Sequence, residues 1–404
     1  MSAAEQSDAG PTVSVNPPGA GSADSAGSGA GGAGGAGRAG RAGGAGAAAP
    51  VASAAAVGPA TPVLEVSDLR VDFTGGPTGV VHAVNGISFS LARGETLGIV
   101  GESGSGKSVS ALAVTQMLPP AARVTGGSVR LNGTALTGLP ERQLRAVRGA
   151  QVGMVFQDPM TSLNPVLTIG QHFAEAMRAH GRGGRRSRRD RAAELLELVG
   201  IPDPVTRLDD YPHQFSGGMR QRAMIALALA NDPQVLIADE PTTALDATIQ
   251  AQILDLIARL NRELGTAVVI ISHNLGVIAR TCARVLVVYA GGVVEEGVTG
   301  DVLARPRHPY TASLLRAIPR FDAPARTPLA AIPGRPPDLA LLPLGCAFAD
   351  RCHLAEDRCR TDRPPLTELA PGQRAACWVA PGLAGTPTAL TAPTTLTAPT
   401  APTA

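Results

Sequence analysis

Of the 35 Lys and Arg side chains in this sequence one alone is a lysine, Lys107, in the octapeptide Gly101-Glu102-Ser103-Gly104-Ser105-Gly106-Lys107-Ser108. The octapeptide fits the pattern G-x-x-x-x-G-K-[ST] at every specified position. Turn-forming residues between Gly101 and Lys107 let successive backbone N–H groups converge on phosphate oxygens. A compact ammonium then reaches the β- and γ-phosphates as a point charge, which a planar guanidinium does less well. The Ser108 hydroxyl is a hard oxygen donor for Mg²⁺. The chemistry predicted is the binding of a nucleoside triphosphate with its metal.

Such a loop must be held between a strand and a helix. Glu95-Thr96-Leu97-Gly98-Ile99-Val100 is short, apolar and ends at Gly101, as a buried parallel strand does. Ser108 to Leu118 carries good helix formers and stops at Pro119-Pro120. That order aims a helix N-terminus, with its partial positive charge, at the phosphates. A dinucleotide-binding turn fits less well, because the G-x-G-x-x-G order is missing and the lysine would have no task.

Two further runs bear on the same chemistry. Val235-Leu236-Ile237-Ala238-Asp239-Glu240 is an apolar strand, entered through Asp232-Pro233, that ends in two carboxylates. Asp239 is placed to hold Mg²⁺ through its water shell, and Glu240 to orient and polarise an attacking water. Taken alone, the pair also fits an ordinary helix N-terminus; the phosphate loop upstream favours metal and base. Tyr211 to Arg222 contains Phe215-Ser216-Gly217-Gly218-Met219, a Ser-Gly-Gly turn opening a helix read as Met219 to Ala230. It is a second anion-facing helix start about 110 residues after the first.

These motifs, in this order, resemble the nucleotide-binding subunit of an ABC transporter. Phe215 to Met219 is similar to the family's signature motif, usually written L-S-G-G-Q, with Phe and Met at the outer positions. Gln157, in Met154-Val155-Phe156-Gln157-Asp158-Pro159, matches the Q-loop, and Ala244-Leu245-Asp246 the D-loop. His273, after a strand read as Ala267 to Ser272, matches the H-loop. Phe73 is placed where the family stacks adenine, although a core phenylalanine in a strand fits that position equally. The resemblance runs from about residue 63 to 320.

It implies an α/β fold: a P-loop NTPase core with an antiparallel β subdomain, a helical subdomain and, here, a small Cys-containing C-terminal extension. It implies ATP and Mg²⁺ as ligands, with Gly101 to Ser108 around the phosphates and Ser108, Gln157 and Asp239 around the metal. Glu240, His273, Lys107 and Gln157 then form the hydrolytic set. Two subunits pair head to tail, so that Ser216, Gly217, Gly218 and Asp246 meet the nucleotide bound by the partner. The intact set disfavours a non-catalytic subunit. A soluble ABC ATPase of translation or DNA repair is also disfavoured, since those carry two cassettes or long coiled coils.

Beyond this core stand Arg307-His308-Pro309-Tyr310-Thr311, a Pro-rich stretch around Ile332 to Pro337, and Cys346, Cys352, Cys359 and Cys377. The spacing C-x5-C-x6-C-x17-C is neither a zinc ribbon nor the common ferredoxin run. Two disulfides are disfavoured in a reducing compartment, so a metal, an iron–sulfur cluster or free structural thiols remain, and neighbouring His353 keeps zinc open. The fifth, Cys282, reads as a small core residue. The words His308-Pro309-Tyr310-Thr311, Gly345-Cys346-x-Phe348-x-x-Arg351-Cys352 and Cys377-Trp378 resemble the C-terminal region of oligopeptide and dipeptide permease ATP-binding subunits. That resemblance implies a [4Fe–4S] cluster on the four cysteines, and peptide import with nickel, glutathione or another small solute as alternative cargo. It also implies a related second ATPase subunit, two transmembrane permease subunits and an extracytoplasmic binding protein.

Composition sets the outer limits. Residues 1–60 are an Ala/Gly/Ser tail with too few large apolar side chains to offset ordering entropy, and 381–404 repeat Thr-Ala-Pro, so both read as disordered. The domains expected are 61–320 for the nucleotide-binding unit and 321–380 for the extension. A net charge of +2 gives no case for nucleic acid. The one basic cluster, Arg182 to Arg191, reads as a solvated loop before a helix over Asp190 to Val199, with Ser187 and Asp190 spaced as a capping box; anion or headgroup binding is the alternative. The N-terminus lacks a secretory pattern, and no run approaches about 18 apolar residues, so the expected place is peripheral, on the cytoplasmic face of the membrane.

Overall fold

The computed structural model describes residues 61–76, 79–158, 162–243, 245–318 and 331–380. The two tails, residues 319–330, and Pro159 and Ala244 of the motifs lie outside these.

Alternation decides which sheet a strand joins. β1 (Leu64–Gly76) and β2 (Gly79–Leu91) pair antiparallel, and the end of β2 turns Ile87, Phe89 and Leu91 inward and Ser88 and Ser90 outward. One covered face and one wet face suit an antiparallel sheet. β3 (Thr96–Val100) leaves for a second sheet, while β4 (Ala122–Leu131) and β5 (Thr134–Ala135) complete the first, in the order β2-β1-β4-β5.

The second sheet is apolar on both faces. β6 (Val152–Val155), β7 (Val235–Asp239), β8 (Ala267–Ser272) and β9 (Arg284–Tyr289) run parallel with β3 in the order β9-β3-β8-β7-β6. Every residue of β7 and β8 is buried. Successive residues feed two cores. Ile99, Ile237, Ile271 and Val288 pack toward the antiparallel sheet with Leu64, Ile87 and Leu131. Val100, Ala238, Ile270 and Val287 pack with Phe173, Leu196, Phe215 and Ile257 of the helices on the other side. Each such large side chain contributes about 1.5–3 kcal/mol by leaving water. The C-terminal ends of β3, β7 and β8 share one edge of the sheet, where ligands of such sheets bind.

The helical region follows β6. Thr168 caps helix Ile169–Ala179 in a reciprocal capping box with Gln171. The next helix corrects the sequence reading: it spans Arg185–Leu198, its cap is Gly184, and Ser187 caps nothing. Arginine is a good helix former, and anchors hold the early turns that a Ser-x-x-Asp cap would have excluded. Arg188 donates to the Gly183 carbonyl at 2.6 Å, and Arg189 pairs with Asp209 at 2.7 Å. Arg182 and Arg191 both pair with Asp232. The basic cluster is thus a largely exposed helix start, several of whose arginines pair with carboxylates of this chain.

The C-terminal region adds strands to the central sheet. β10 (Gly292–Val298) forms a hairpin with β9, as the Ala290-Gly291-Gly292 turn suggests. β12 (Gln373–Ala375) pairs antiparallel with β10, and β11 (Thr367–Ala370) with β12, so the extension lengthens the central sheet to eight strands. The knot is Glu295 on β10, which is fully buried. Its carboxyl accepts from the N–H groups of Arg307 and His308 at 2.6 and 3.0 Å and from Gln373 Nε2 at 2.7 Å. Burial raises its pKa, and these bonds oppose the rise.

Candidate nucleotide site

β3 ends where the phosphate loop begins, and two glycines are forced there by space. A Cβ on Gly101 would lie 2.1 Å from the Val288 carbonyl oxygen. Gly106, at φ +96, would place one 2.3 Å from that of Ala83 and is the residue before helix Lys107–Val114. The Lys107 ammonium lies back over its own loop, donating to the carbonyls of Gly101 and Glu102 at 2.8 Å each. Burial lowers its pKa, while Glu240, Asp239 and Glu102 pull it upward.

The acidic side of the site comes from the end of β7. Ser108 Oγ donates to Asp239 Oδ1 at 3.0 Å, setting a hydroxyl and a buried carboxyl side by side. Burial raises the Asp239 pKa; the Ser108 bond opposes this, Glu240 adds to it and Lys107 counters it. Such a pair fits Mg²⁺, which is held by one or two protein oxygens together with water and phosphate.

Glu240 adopts φ 46, a left-handed backbone that non-glycine residues rarely take. Its carboxylate gathers two other segments and a neighbour of its own. Gln157 Nε2 donates to Oε2 at 3.0 Å, Thr243 Oγ1 to the same oxygen at 2.9 Å, and His273 Nδ1 lies 3.1 Å from Oε1. Burial pushes its pKa up, but the bonds from His273 and Thr243 outweigh this and hold the carboxyl below its ordinary value. It is a carboxylate at neutral pH, able to accept a proton.

A cleft of about 560 Å³ is lined by Phe73, Ser103, Gly104, Lys107, Ser108, Gln157 and Glu240, and by Leu339. Leu339 is a lining residue outside every motif. It comes from the C-terminal region, where its carbonyl accepts the His82 N–H at 3.0 Å, and no local pattern around it signals a ligand wall.

The comparisons with known proteins agree with this arrangement. Residues 84–243 match the ABC transporter family, and residues 294–359 the oligopeptide/dipeptide transporter C-terminal region. The chain is 52% identical over 317 residues to a probable peptide ABC transporter ATP-binding protein of Sinorhizobium fredii, covering 78% of this chain and 94% of that protein. It is 49% identical over 320 residues to the oligopeptide transport ATP-binding protein OppD of Salmonella typhimurium, covering 79% and 94%. The dipeptide transport ATP-binding protein DppD of Escherichia coli is 48% identical over 326 residues, covering 81% and 99%. The chain belongs to the oligopeptide/dipeptide group of ABC transporter ATP-binding proteins. Among solved structures, the dimeric ATP-binding cassette MJ0796, in a post-hydrolysis state with ADP and Pi, matches at a TM-score of 0.53 and 29% identity, covering 58% of this chain and 98% of that one.

The remaining ABC motifs lie apart from the cleft. Ser216 caps helix Gly217–Ala228, its Oγ accepting the Met219 N–H at 3.3 Å, and Asp246 caps helix Ala247–Leu264, accepting the Ile249 N–H at 2.9 Å. The two caps are neighbours: a Cβ on Gly218 would lie 2.9 Å from Ile249 Cγ2. Ser216 and Gly217 are exposed, whereas Phe215 is buried and Met219 packs against the same core, which accounts for the apolar outer residues of this ABC signature.

In the transporter-type C-terminal region, Cys346, Cys352, Cys359 and Cys377 are free and line one small cavity with His308, Phe348 and Trp378. Burial raises the thiols of Cys346, Cys352 and Cys377, the last to about 12. The donors converge and are of a type that soft metals take. Yet among the described residues no three His, Cys, Asp or Glu side chains are arranged to hold a metal ion. Cys282 is buried at the end of helix Leu275–Thr281, with a pKa pushed by burial to about 12.

Proposed function

We propose that this chain is the ATP-hydrolysing subunit that powers import of di- or oligopeptides through an ABC transporter at the cytoplasmic face of the membrane. The observation that carries the reading is the single carboxylate of Glu240, bonded by Gln157, Thr243 and His273 beside Lys107, Ser108 and Asp239. Phosphoryl transfer needs positioning and charge neutralisation more than covalent chemistry, and these groups supply both. In this reading Lys107 and the loop N–H groups hold the β- and γ-phosphates, and Phe73 and Leu339 flank the base. Ser108, Gln157 and Asp239 would hold Mg²⁺, which neutralises phosphate charge. Glu240 takes the proton of the attacking water, and His273 keeps the carboxylate aligned.

Ser216, Gly217, Gly218 and Asp246 lie away from the cleft of their own chain. That supports a head-to-tail pair in which they meet the nucleotide held by a second, related ATPase subunit. Among the described residues no helix is long and apolar enough to cross a membrane, which fits a peripheral subunit docked on two permease subunits fed by a binding protein. The test is uptake of labelled di-, tri- and pentapeptides by the parent strain, a deletion strain and the deletion carrying Glu240→Gln. Peptide uptake is expected to be lost in both altered strains, with nickel uptake unchanged. Loss of nickel but not peptide uptake would reassign the cargo.

The four cysteines supply the donor type a soft metal takes and line one cavity, although as placed no three are arranged to hold an ion, and a [4Fe–4S] cluster is the occupant proposed. Protein purified without oxygen is expected to contain iron and acid-labile sulfide at about four atoms each per chain. Single Cys→Ser variants should lose both. Zinc at one atom per chain, or no metal, would reject the cluster.

A further inference from the structure

We infer that Arg351, in the cysteine-bearing C-terminal region, is a positioning residue that holds the phosphate loop through Glu102. The inference rests on the ATPase reading above and extends it to a residue that never meets the nucleotide.

Every polar group of Glu102 has an assigned partner. Its carboxylate takes two bonds from Arg351, at 2.6 and 2.9 Å. Its N–H donates to the Tyr310 hydroxyl at 2.8 Å, and its carbonyl accepts from Lys107 Nζ at 2.8 Å. The second residue of the phosphate loop is thus pinned from behind by two side chains of the C-terminal region, and from the front by the catalytic lysine.

Arg351 is itself over-determined. Its side chain is 5% exposed. Nε donates to the Pro333 carbonyl at 2.9 Å and Nη1 to the Tyr289 hydroxyl at 3.2 Å. The guanidinium carbon lies 5.7 and 5.8 Å from the ring centres of Tyr289 and Phe348, and Tyr289, Tyr310 and Phe348 pack on one another. The bonds to Glu102 outweigh burial and raise the Arg351 pKa. Only a planar fork makes the two parallel bonds to Glu102 and keeps a third donor for Pro333.

The consequence falls on affinity. Without Arg351, the Glu102 carboxylate stays partly buried and unneutralised beside the place where a triphosphate must bind. It then repels phosphate, or swings away and carries the loop N–H groups with it. Arg351 also lies next to Cys352 in the chain, so the thiol cavity and the phosphate loop share one structural wall. The words Gly345-Cys346-x-Phe348-x-x-Arg351-Cys352 and His308-Pro309-Tyr310-Thr311 thereby gain a physical reason at Phe348, Arg351 and Tyr310.

The test uses the full chain assembled with its partner subunits. ATP KM, kcat and the melting temperature are measured for the parent, Arg351→Met, Arg351→Lys, Glu102→Gln and the Met/Gln double variant. Losing a charged, bidentate contact should raise KM about tenfold for Arg351→Met, with kcat at saturating ATP changed less than about twofold. Arg351→Lys should recover part of the loss, and the double variant should be no worse than Arg351→Met alone. A lower melting temperature with unchanged KM, or additive effects in the double variant, would overturn the inference and leave Arg351 a structural residue. An inactive parent would instead overturn the ATPase reading on which it rests.

Discussion

Glu240→Gln lowers the rate of ATP hydrolysis about 10³-fold while leaving ATP binding within about threefold of the parent. The amide keeps the shape of the side chain and its bond with Thr243, but it cannot take the proton of the attacking water, and general bases contribute about 10²–10⁴ to rate. The carboxylate is held ionised by His273 and Thr243, so in the proposed mechanism the parent enters each turnover with its base ready. Nothing in the Lys107 and Ser108 contacts depends on it, which is why binding survives. The check is a steady-state phosphate-release assay beside a nucleotide titration. Hydrolysis at the parental rate would remove Glu240 from its role. Weak binding with slow hydrolysis would make it a structural residue instead.

Lys107→Ala acts earlier. Removal of the ammonium takes away a charge-assisted bond to phosphate, raising the ATP Kd about 10- to 100-fold, and it removes fixed charge from the transition state, lowering kcat by a further 10²–10³, roughly. It also removes a positive charge that acts on both Asp239 and Glu240. Lys107→Arg should recover little, because the buried ammonium acts as a compact point donor to the Gly101 and Glu102 carbonyls, which a planar fork does not reproduce. Nucleotide titration with a parallel melting curve checks both variants. A folded Ala variant with parental affinity would show that the loop N–H groups suffice.

The parts legible in the sequence were those whose chemistry is local. The octapeptide around Lys107, the apolar run into Asp239-Glu240 and the strand before His273 each pack their signal into a few residues, and the strands stand where those runs predicted them. The helix caps divided. Ser216 caps the helix that its Ser-Gly-Gly turn opens, whereas Ser187 lost to the helix-forming arginines before it, and the cap at Asp246 had no sequence signal read for it. What stayed hidden was tertiary. Leu339 lines the cleft from about 230 residues beyond the phosphate loop, and Arg351 reaches Glu102 across 249 residues. β11 and β12, reading Thr-Glu-Leu-Ala and Gln-Arg-Ala, have no β-branched alternation to betray them. They are strands because Glu295 and β10 offer an edge to pair with.

That edge has a history in time. β10 is complete at Val298, yet the strand that covers it begins at Gln373, about 75 residues later. At 5–20 residues per second of synthesis, the edge of the central sheet waits roughly 4–15 s for its neighbour. An open apolar edge is a template for pairing with other chains, and charge on such an edge discourages it. Glu295 and Glu296 stand side by side on the waiting strand. Two carboxylates on an uncovered strand are expected to discourage pairing with other chains; in the finished fold one is enclosed by Gln373 and the other is paired with Arg374. The same two carboxylates then hold the covering strand in place.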